Sequence, residues 1–322
     1  MPSALSLSGV TKTFSGMRAV DRLDLEVPRG SLCGVIGPNG AGKTTTIRIV
    51  MSILFPDSGS VSVLGHQSAL MAKDRIGYLP EERGLYRKMR VGEFLTYMAR
   101  LKDVADGESR ASIARAVERL GLTASVDKRC EELSKGMQQK VQFIAATVNR
   151  PDLLILDEPF SGLDPVSTRT LQELMLEEHR RGATILFSTH VMPHAEQLCD
   201  RVVMIHKGRK VLDEAVAAIR HRYDPRVLEF EPLAPSADLS GLARLAGIER
   251  LEHHDRMTRV HLSLGHEPAA AIARITAEIP TARIEIARLK LEDVFVELVA
   301  SDGESVAADI RAGLRGSAAE VA

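Results

Sequence analysis

Cysteine is scarce in this chain. Cys33, Cys130 and Cys199 lie far apart and form no CxxC pair. That argues against a disulfide framework and for buried thiols in a reducing compartment. Long apolar runs are missing too. None approaches the roughly 20 residues needed to cross a bilayer. The first ten residues lack the basic flank and apolar stretch of a signal peptide. The expected location is therefore cytoplasmic, peripheral on the inner face of the cell membrane only if another chain holds it there. Nor is there a charge excess: 42 basic and 43 acidic residues leave a net charge of -1. A polyanion such as nucleic acid is not the expected partner of such a surface. No internal repeat is present.

What is present is a chain of 322 residues with 44% hydrophobic and 26% charged side chains, ordinary for soluble globular proteins and long enough for about two domains. Strands alternate with helices in the first part, the pattern of an α/β domain. Residues 5–14 and 19–27 suggest an antiparallel pair, and 32–36 a short buried strand running into a glycine-rich stretch. A helix is expected over 43–53, stopped by Pro56 and Gly59, then only helices over 91–122 and another over 134–149. Residues 153–156 and 184–187 read as strands, and 202–205 with 209–212 as a hairpin. A boundary falls near 221–226, followed by a βαββαβ rhythm: strand 227–231, helix 239–245, hairpin 248–252 and 259–264, helix 269–279, strand 283–289. That order suggests a small ferredoxin-like sandwich. A helix over 291–299 follows, and then a tail, 301–322, rich in Ala, Gly and Ser and expected to be mobile.

Five short stretches stand out. Gly37, Pro38, Asn39, Gly40, Ala41, Gly42, Lys43 and Thr44 fit G-x-x-x-x-G-K-[ST] and are followed by Thr45. The glycines let backbone N–H groups turn toward phosphate oxygens at the positive end of a helix. Lys43 can reach the β- and γ-phosphates, and Thr44 can hold Mg²⁺. The motif sits between an expected strand and an expected helix, which is the context it needs. The apolar run 153–156 ends in Asp157 and Glu158: the first suits a Mg²⁺ ligand, the second a general base for an attacking water. Leu133-Ser134-Lys135-Gly136-Met137 opens a helix, where Ser is a good cap and a Ser-Gly N-terminus can also bind phosphate. Asp164-Pro165 starts the next helix. His190 ends Ser188-Thr189-His190; a lone His is more often structural, and it is the company of the other motifs that favours a functional role.

In this order the motifs resemble those of ABC transporter ATPases over residues 5–221. Residues 133–137 resemble the family's signature, usually LSGGQ, Ser161-Gly162-Leu163-Asp164 its D-loop, and His190 its switch histidine. Phe14 matches the aromatic that stacks on adenine, a reading preferred to the alternative of a core Phe on an edge strand. The resemblance implies a P-loop NTPase core with an antiparallel subdomain and a helical arm, plus here a small α+β C-terminal domain. The expected division is 1–222 for nucleotide binding, 223–300 for the accessory domain and 301–322 for the tail. It implies ATP and Mg²⁺ as cofactors, Glu158, His190 and Lys43 as catalytic residues, and Thr44, Asp157 and Glu81 at the metal. Because each motif occurs once, it implies a homodimer with two shared ATP sites, each P-loop facing the partner's Ser134, Lys135, Gly136 and Asp164. An integral-membrane permease, encoded separately, completes the transporter.

Two departures stand out. The family usually has Gln where this chain has Glu81, which accepts but cannot donate when ionised. Lys135 lies inside the signature, where its charge either helps hold phosphate or sits in solvent. With residues 79–84, 133–140 and 291–295, these features resemble the exporter branch, nearest the sodium-export type, with drug exporters beside it. Non-transport ABC ATPases, which carry tandem cassettes, long coiled coils or zinc motifs, fit less well. So do a GTP switch, for want of an [NT]-K-x-D motif, and a purely regulatory nucleotide-binding module, which has no need of Glu158. His253, His254, His261 and His266 suggest a polar hairpin surface before a metal site.

Overall fold

The computed structural model describes residues 3–82, 84–222, 227–254, 256–263, 265–287 and 290–300. The tail 301–322, Arg83 and the boundary stretch 223–226 therefore lie outside the described residues. The chain groups into two compact units, Met1–Val216 with the segment from Phe295, and Ala217–Val294.

The first unit runs β1 (Ser3–Phe14), β2 (Met17–Pro28), β3 (Leu32–Ile36), α1 (Lys43–Val50), β4 (Ser58–Val63), β5 (Ile76–Leu79), α2 (Val91–Leu101), α3 (Asp106–Arg119), α4 (Lys135–Thr147), β6 (Leu153–Asp157), α5 (Pro165–Arg180), β7 (Thr184–Thr189), α6 (Met192–Leu198), β8 (Arg201–His206) and β9 (Arg209–Ala215). β2, β1 and β4 form an antiparallel sheet. Their alternating apolar residues, among them Leu5, Leu7, Leu23, Leu25 and Val63, bury one face with Ile47 and Val50 of α1. A second sheet has the order β5-β6-β7-β3-β8-β9, parallel except for the last strand. Its central strands β3, β6 and β7 are buried along their whole length, as a parallel sheet covered on both faces requires. The arm of α2, α3 and α4 has its own apolar cluster, including Phe94, Leu95, Ile113, Val117, Val141 and Ile144.

This order positions the site. β5, β6, β7 and β3 are neighbours, and the chain leaves the carboxyl end of each at Glu81, Asp157–Glu158, His190 and the glycine-rich loop. Ligands of open parallel sheets bind at that edge. Register adds detail: Asp157 pairs with Ser188, and Ile36 with Thr189.

The second unit begins with most of α7 (Val216–Arg222) and continues through β10 (Val227–Pro232), β11 (Ile248–His254), β12 (Met257–Leu262), α8 (Pro268–Glu278), β13 (Thr281–Ile286) and the start of α9 (Leu291–Ala300). Its sheet, β11-β12-β10-β13, is antiparallel throughout. This is the strand order expected of βαββαβ, except that the first helix shrinks to a 3-10 turn, Leu242–Arg244. Gly241 and Gly247 flank that turn, and a segment so short does not sustain an α-helix. Leu228, Phe230, Val260 and Ile275 centre the core. The grouping changes within α9: Phe295 is fully buried, and its ring lies 5.8 Å from that of His206 in the first unit.

Candidate active site

The glycine-rich loop leaves β3 and closes on α1. Gly42 stands at the N-cap with φ 107° and no side chain to occupy the first-turn N–H groups. A Cβ there would lie 2.3 Å from the Ala19 carbonyl oxygen, so only glycine fits. Asn39 and Gly40 are exposed at the tip of the turn. Ala41 is buried, and its carbonyl accepts from the Gly208 N–H at 2.9 Å. Thr45 is half-buried in the first turn of α1. Lys43, only 5% exposed, folds back over the loop. Its Nζ donates to the carbonyls of Gly37 (2.8 Å) and Pro38 (3.1 Å) and lies 3.6 Å from Glu158 Oε1. Burial pulls its pKa down, while the Glu158, Asp157 and Glu81 carboxylates oppose that shift.

Thr44 Oγ1 sits between two carboxylates, 3.1 Å from Glu81 Oε2 and 3.2 Å from Asp157 Oδ1. Asp157 is fully buried at the end of β6. Burial raises its pKa, against the stabilising hydrogen bonds from Ser188 and Thr44. Its Oδ2 has no hydrogen-bond partner among the described residues. Glu158, the next residue, adopts φ 49°. A non-glycine residue in that left-handed region costs about 1–2 kcal/mol. The turn is held by its neighbours: the Glu158 N–H donates to Ser188 Oγ (3.0 Å), and the Ser161 N–H donates to the Glu158 carbonyl (3.1 Å). Glu158 Oε2 lies 3.0 Å from His190 Nδ1, an ion pair when the imidazole is protonated. The adjoining Glu158 carboxylate raises the His190 pKa, and burial opposes it.

Lys43, Thr44, Glu81, Asp157, Glu158 and His190 are thus brought together as the sequence anticipates. The signature residues stand apart from these contacts. Ser134 caps α4 by accepting from the Met137 N–H at 3.3 Å. Ser134 and Lys135 are exposed. Asp164 caps α5, accepting from Ser167 N (2.9 Å) and from the Ser167 hydroxyl. Gly136 packs so closely on the loop after β6 that a Cβ would lie 3.0 Å from the Gly162 carbonyl oxygen. Phe14 is 44% exposed at the end of β1, with the Lys12 ammonium 5.6 Å from its ring centroid, so it is not a core aromatic. Among the described residues no group of three or more His, Cys, Asp and Glu side chains could by itself hold a metal ion.

Two residues at the site escape sequence reasoning. Ser188 is fully buried and donates to Asp157 Oδ1 at 2.5 Å while accepting from Glu158 N, so one hydroxyl orients both acidic residues. Gln139 reaches the same turn from α4. A signal for Ser188 exists only in the strand register, which pairs it with Asp157.

A glycine-rich loop closing on a helix N-terminus, a buried lysine and a strand-end acidic pair on a parallel sheet make this a P-loop nucleoside-triphosphatase domain. The sequence matches the ABC transporter family over residues 20–161. It is 39% identical over 297 residues to an uncharacterized ABC transporter ATP-binding protein of Bacillus subtilis (strain 168), covering 92% of this chain and 98% of that one. It is 31% identical over 313 residues to the daunorubicin/doxorubicin resistance ATP-binding protein of Streptomyces peucetius, covering 92% of each. A solved ATP-binding subunit of an ABC transporter superposes with a TM-score of 0.65 at 31% identity, over 69% of this chain and 93% of that one. The chain belongs to the ATP-binding subunits of ABC transporters, the family its motifs resemble. As such it is an ATPase that works with a membrane transporter. No helix among the described residues is long and apolar enough to cross a membrane.

Proposed function

We propose that two copies of this chain close head to tail on two ATP molecules and use their hydrolysis to power export through a separately encoded integral-membrane permease. The observation that carries this reading is the convergence of Lys43, Thr44, Asp157, Glu158 and His190 at one sheet edge, with Ser134 left exposed on the cap of α4. Three carboxylates, Glu81, Asp157 and Glu158, face one lysine there. That excess of oxygen ligands, with the unpartnered Asp157 Oδ2 and the Thr44 hydroxyl, fits a hard divalent cation. Thr44, Asp157 and Glu81 would hold Mg²⁺, whose charge would neutralise the phosphates. Lys43 would exchange the Gly37 and Pro38 carbonyls for phosphate oxygens. Glu158 would take the proton of the attacking water, and His190 would steady its carboxylate. Phe14, exposed at its strand end, would stack on the adenine. Closure would commit ATP, and phosphate release would reopen the pair. Within this reading, residues 1–222 bind nucleotide and 223–300 support pairing, and the location is the inner face of the cell membrane.

Similarity to a drug-resistance ATPase supports a drug-like cargo. The stretches 79–84 and 133–140 resemble the sodium-export type and support sodium ions instead. Counterflow in proteoliposomes that contain the co-purified permease separates the two.

The shared-site geometry has a direct test. Ser134→Arg should abolish turnover while each chain still binds ATP, and Lys43→Ala should be inactive by itself. Mixed, they should regain activity, because one site per heterodimer then has both an intact P-loop and an intact signature. No recovery on mixing, with wild type active as a strict monomer by sedimentation, would refute the head-to-tail pair.

Glu81 would link the cation to the arm. Its carboxylate accepts from Thr44, and the chain after it reaches exposed Tyr86, whose ring meets Tyr97 of α2 edge-on at 5.6 Å. A groove of about 560 Å³, lined by residues that include Met89, Glu93 and Tyr97, opens beside it. This face is the proposed permease contact. Glu81→Gln should preserve permease-stimulated ATPase activity, since the amide oxygen still accepts from Thr44. Glu81→Ala should reduce stimulation several-fold, on the order of one lost hydrogen bond. Equal stimulation in both variants would leave Glu81 a solvated loop carboxylate.

A further inference from the structure

The signature helix α4 is tied to the base-bearing turn of its own chain by one side chain. Gln139 is only 2% exposed. Its Nε2 donates to the carbonyls of both Glu158 (3.3 Å) and Pro159 (3.1 Å). Pro159 has no N–H, so in this turn its carbonyl is the group a neighbouring helix can grip. The turn needs such a grip because Glu158 sits in the left-handed region. Ser188 holds Glu158 from the β7 side through its N–H, and Gln139 holds it from the α4 side through its carbonyl. Gly136, three residues earlier and on the same face of the helix, rests against the Gly162 carbonyl. The helix therefore meets the 158–162 loop at two places, one through close packing and one through a bidentate amide. An aliphatic side chain would fill the same space and make neither hydrogen bond.

We infer that Gln139 is a positioning residue through which the signature helix sets the backbone, and hence the carboxylate, of Glu158. This rests on the proposed head-to-tail pair, in which Ser134 at the start of α4 serves the partner's ATP. A shift of α4 on engaging that ATP is transmitted through Gln139 to the base at the chain's own ATP. The two sites of the pair then share information inside each chain as well as across the interface.

The test uses full-length wild type, Gln139→Met and Gln139→Glu, with Ser134→Arg as a reference. Met keeps length and volume but donates nothing. It should bind ATP within about twofold of wild type while kcat falls about tenfold, the size of one or two hydrogen bonds of about 1 kcal/mol each. The Hill coefficient for ATP should fall toward one. Glu at position 139 gives a readout that packing alone cannot. Ionised, it repels both carbonyls; protonated, its O–H donates to one of them. The ratio of Gln139→Glu to wild-type turnover should therefore rise as pH is lowered from about 8 to about 6, because burial raises a carboxyl pKa into that range. Unchanged kcat in Gln139→Met, or a Gln139→Glu ratio flat with pH, overturns the inference. So does a parallel loss of ATP affinity and thermal stability in both variants, which would make Gln139 a packing residue. If instead Ser134→Arg hydrolyses ATP normally, the head-to-tail reading itself fails, whatever Gln139 does.

Discussion

Glu158→Gln should bind ATP as tightly as wild type and turn it over about 10²–10⁴ times more slowly, the usual effect of removing a general base. The reasoning begins with shape. Gln is isosteric with Glu, and the turn at φ 49° is held by Ser188, Ser161 and Gln139 through main-chain atoms that the substitution leaves in place. The carboxylate alone is lost. Lys43 keeps its two loop carbonyls and remains able to meet phosphate. An enzyme that binds but does not hydrolyse should accumulate as an ATP-bound pair, visible by equilibrium sedimentation. A second signature lies at His190, whose pKa is raised chiefly by the Glu158 side chain. With an uncharged amide there, burial and the Lys43 charge lower it and only the Glu81 charge, the smallest of these influences, still raises it, so the imidazole should deprotonate at lower pH than in wild type. Imidazole NMR shifts against pH measure this in the absence of nucleotide. Normal hydrolysis by the variant would remove Glu158 from the chemistry, and an unmoved His190 titration would remove the pairing.

How far this site was legible in sequence depends on how local each part is. The cradle occupies eight contiguous residues between a strand and a helix, and Asp157–Glu158 ends a continuous apolar run, so both can be read directly. Ser188 and Gln139 cannot, because their partners lie 31 and about 20 residues away and meet them only through the order β6-β7-β3 and the seat of α4. β4 was missed because Ser58–Val63 reads Ser-Gly-Ser-Val-Ser-Val, with little apolar signal. α6 is absent from the sequence reading; it is only seven residues long, and Pro193 in its first turn sacrifices no hydrogen bond. With Pro56 and Gly59 as its stop signals, the sequence places the end of α1 at residue 53. The helix ends at Val50, since Met51 caps it and Ser52 takes φ 57°. The accessory strands were visible from alternation, whereas the grouping of Phe295 with the first unit, like its ring contact with His206, is encoded by no local pattern.

Lys43→Ala should weaken ATP and ADP binding by about 10²-fold or more. Two losses add. The first is direct: a charge-assisted hydrogen bond to phosphate is worth about 1.5–3 kcal/mol, and each 1.4 kcal/mol is tenfold in affinity. The second is electrostatic. Lys43 Nζ lies 3.6 Å from Glu158 Oε1, and Asp157 and Glu81 also act on it. Without the ammonium, three carboxylates face a polyphosphate from a largely buried pocket, where screening by solvent is weak. Added Mg²⁺ should therefore recover part of the lost affinity, and should recover more in Lys43→Ala than in wild type. Lys43→Met, which keeps the stem against the loop, separates the terms: affinity as poor as in Lys43→Ala assigns the loss to charge, and affinity near wild type assigns it to packing of the loop. Calorimetric titration with ATP and ADP, with and without Mg²⁺, measures all of these. Binding within about twofold of wild type in both variants would mean that the backbone cradle, with its helix end, holds the phosphates unaided.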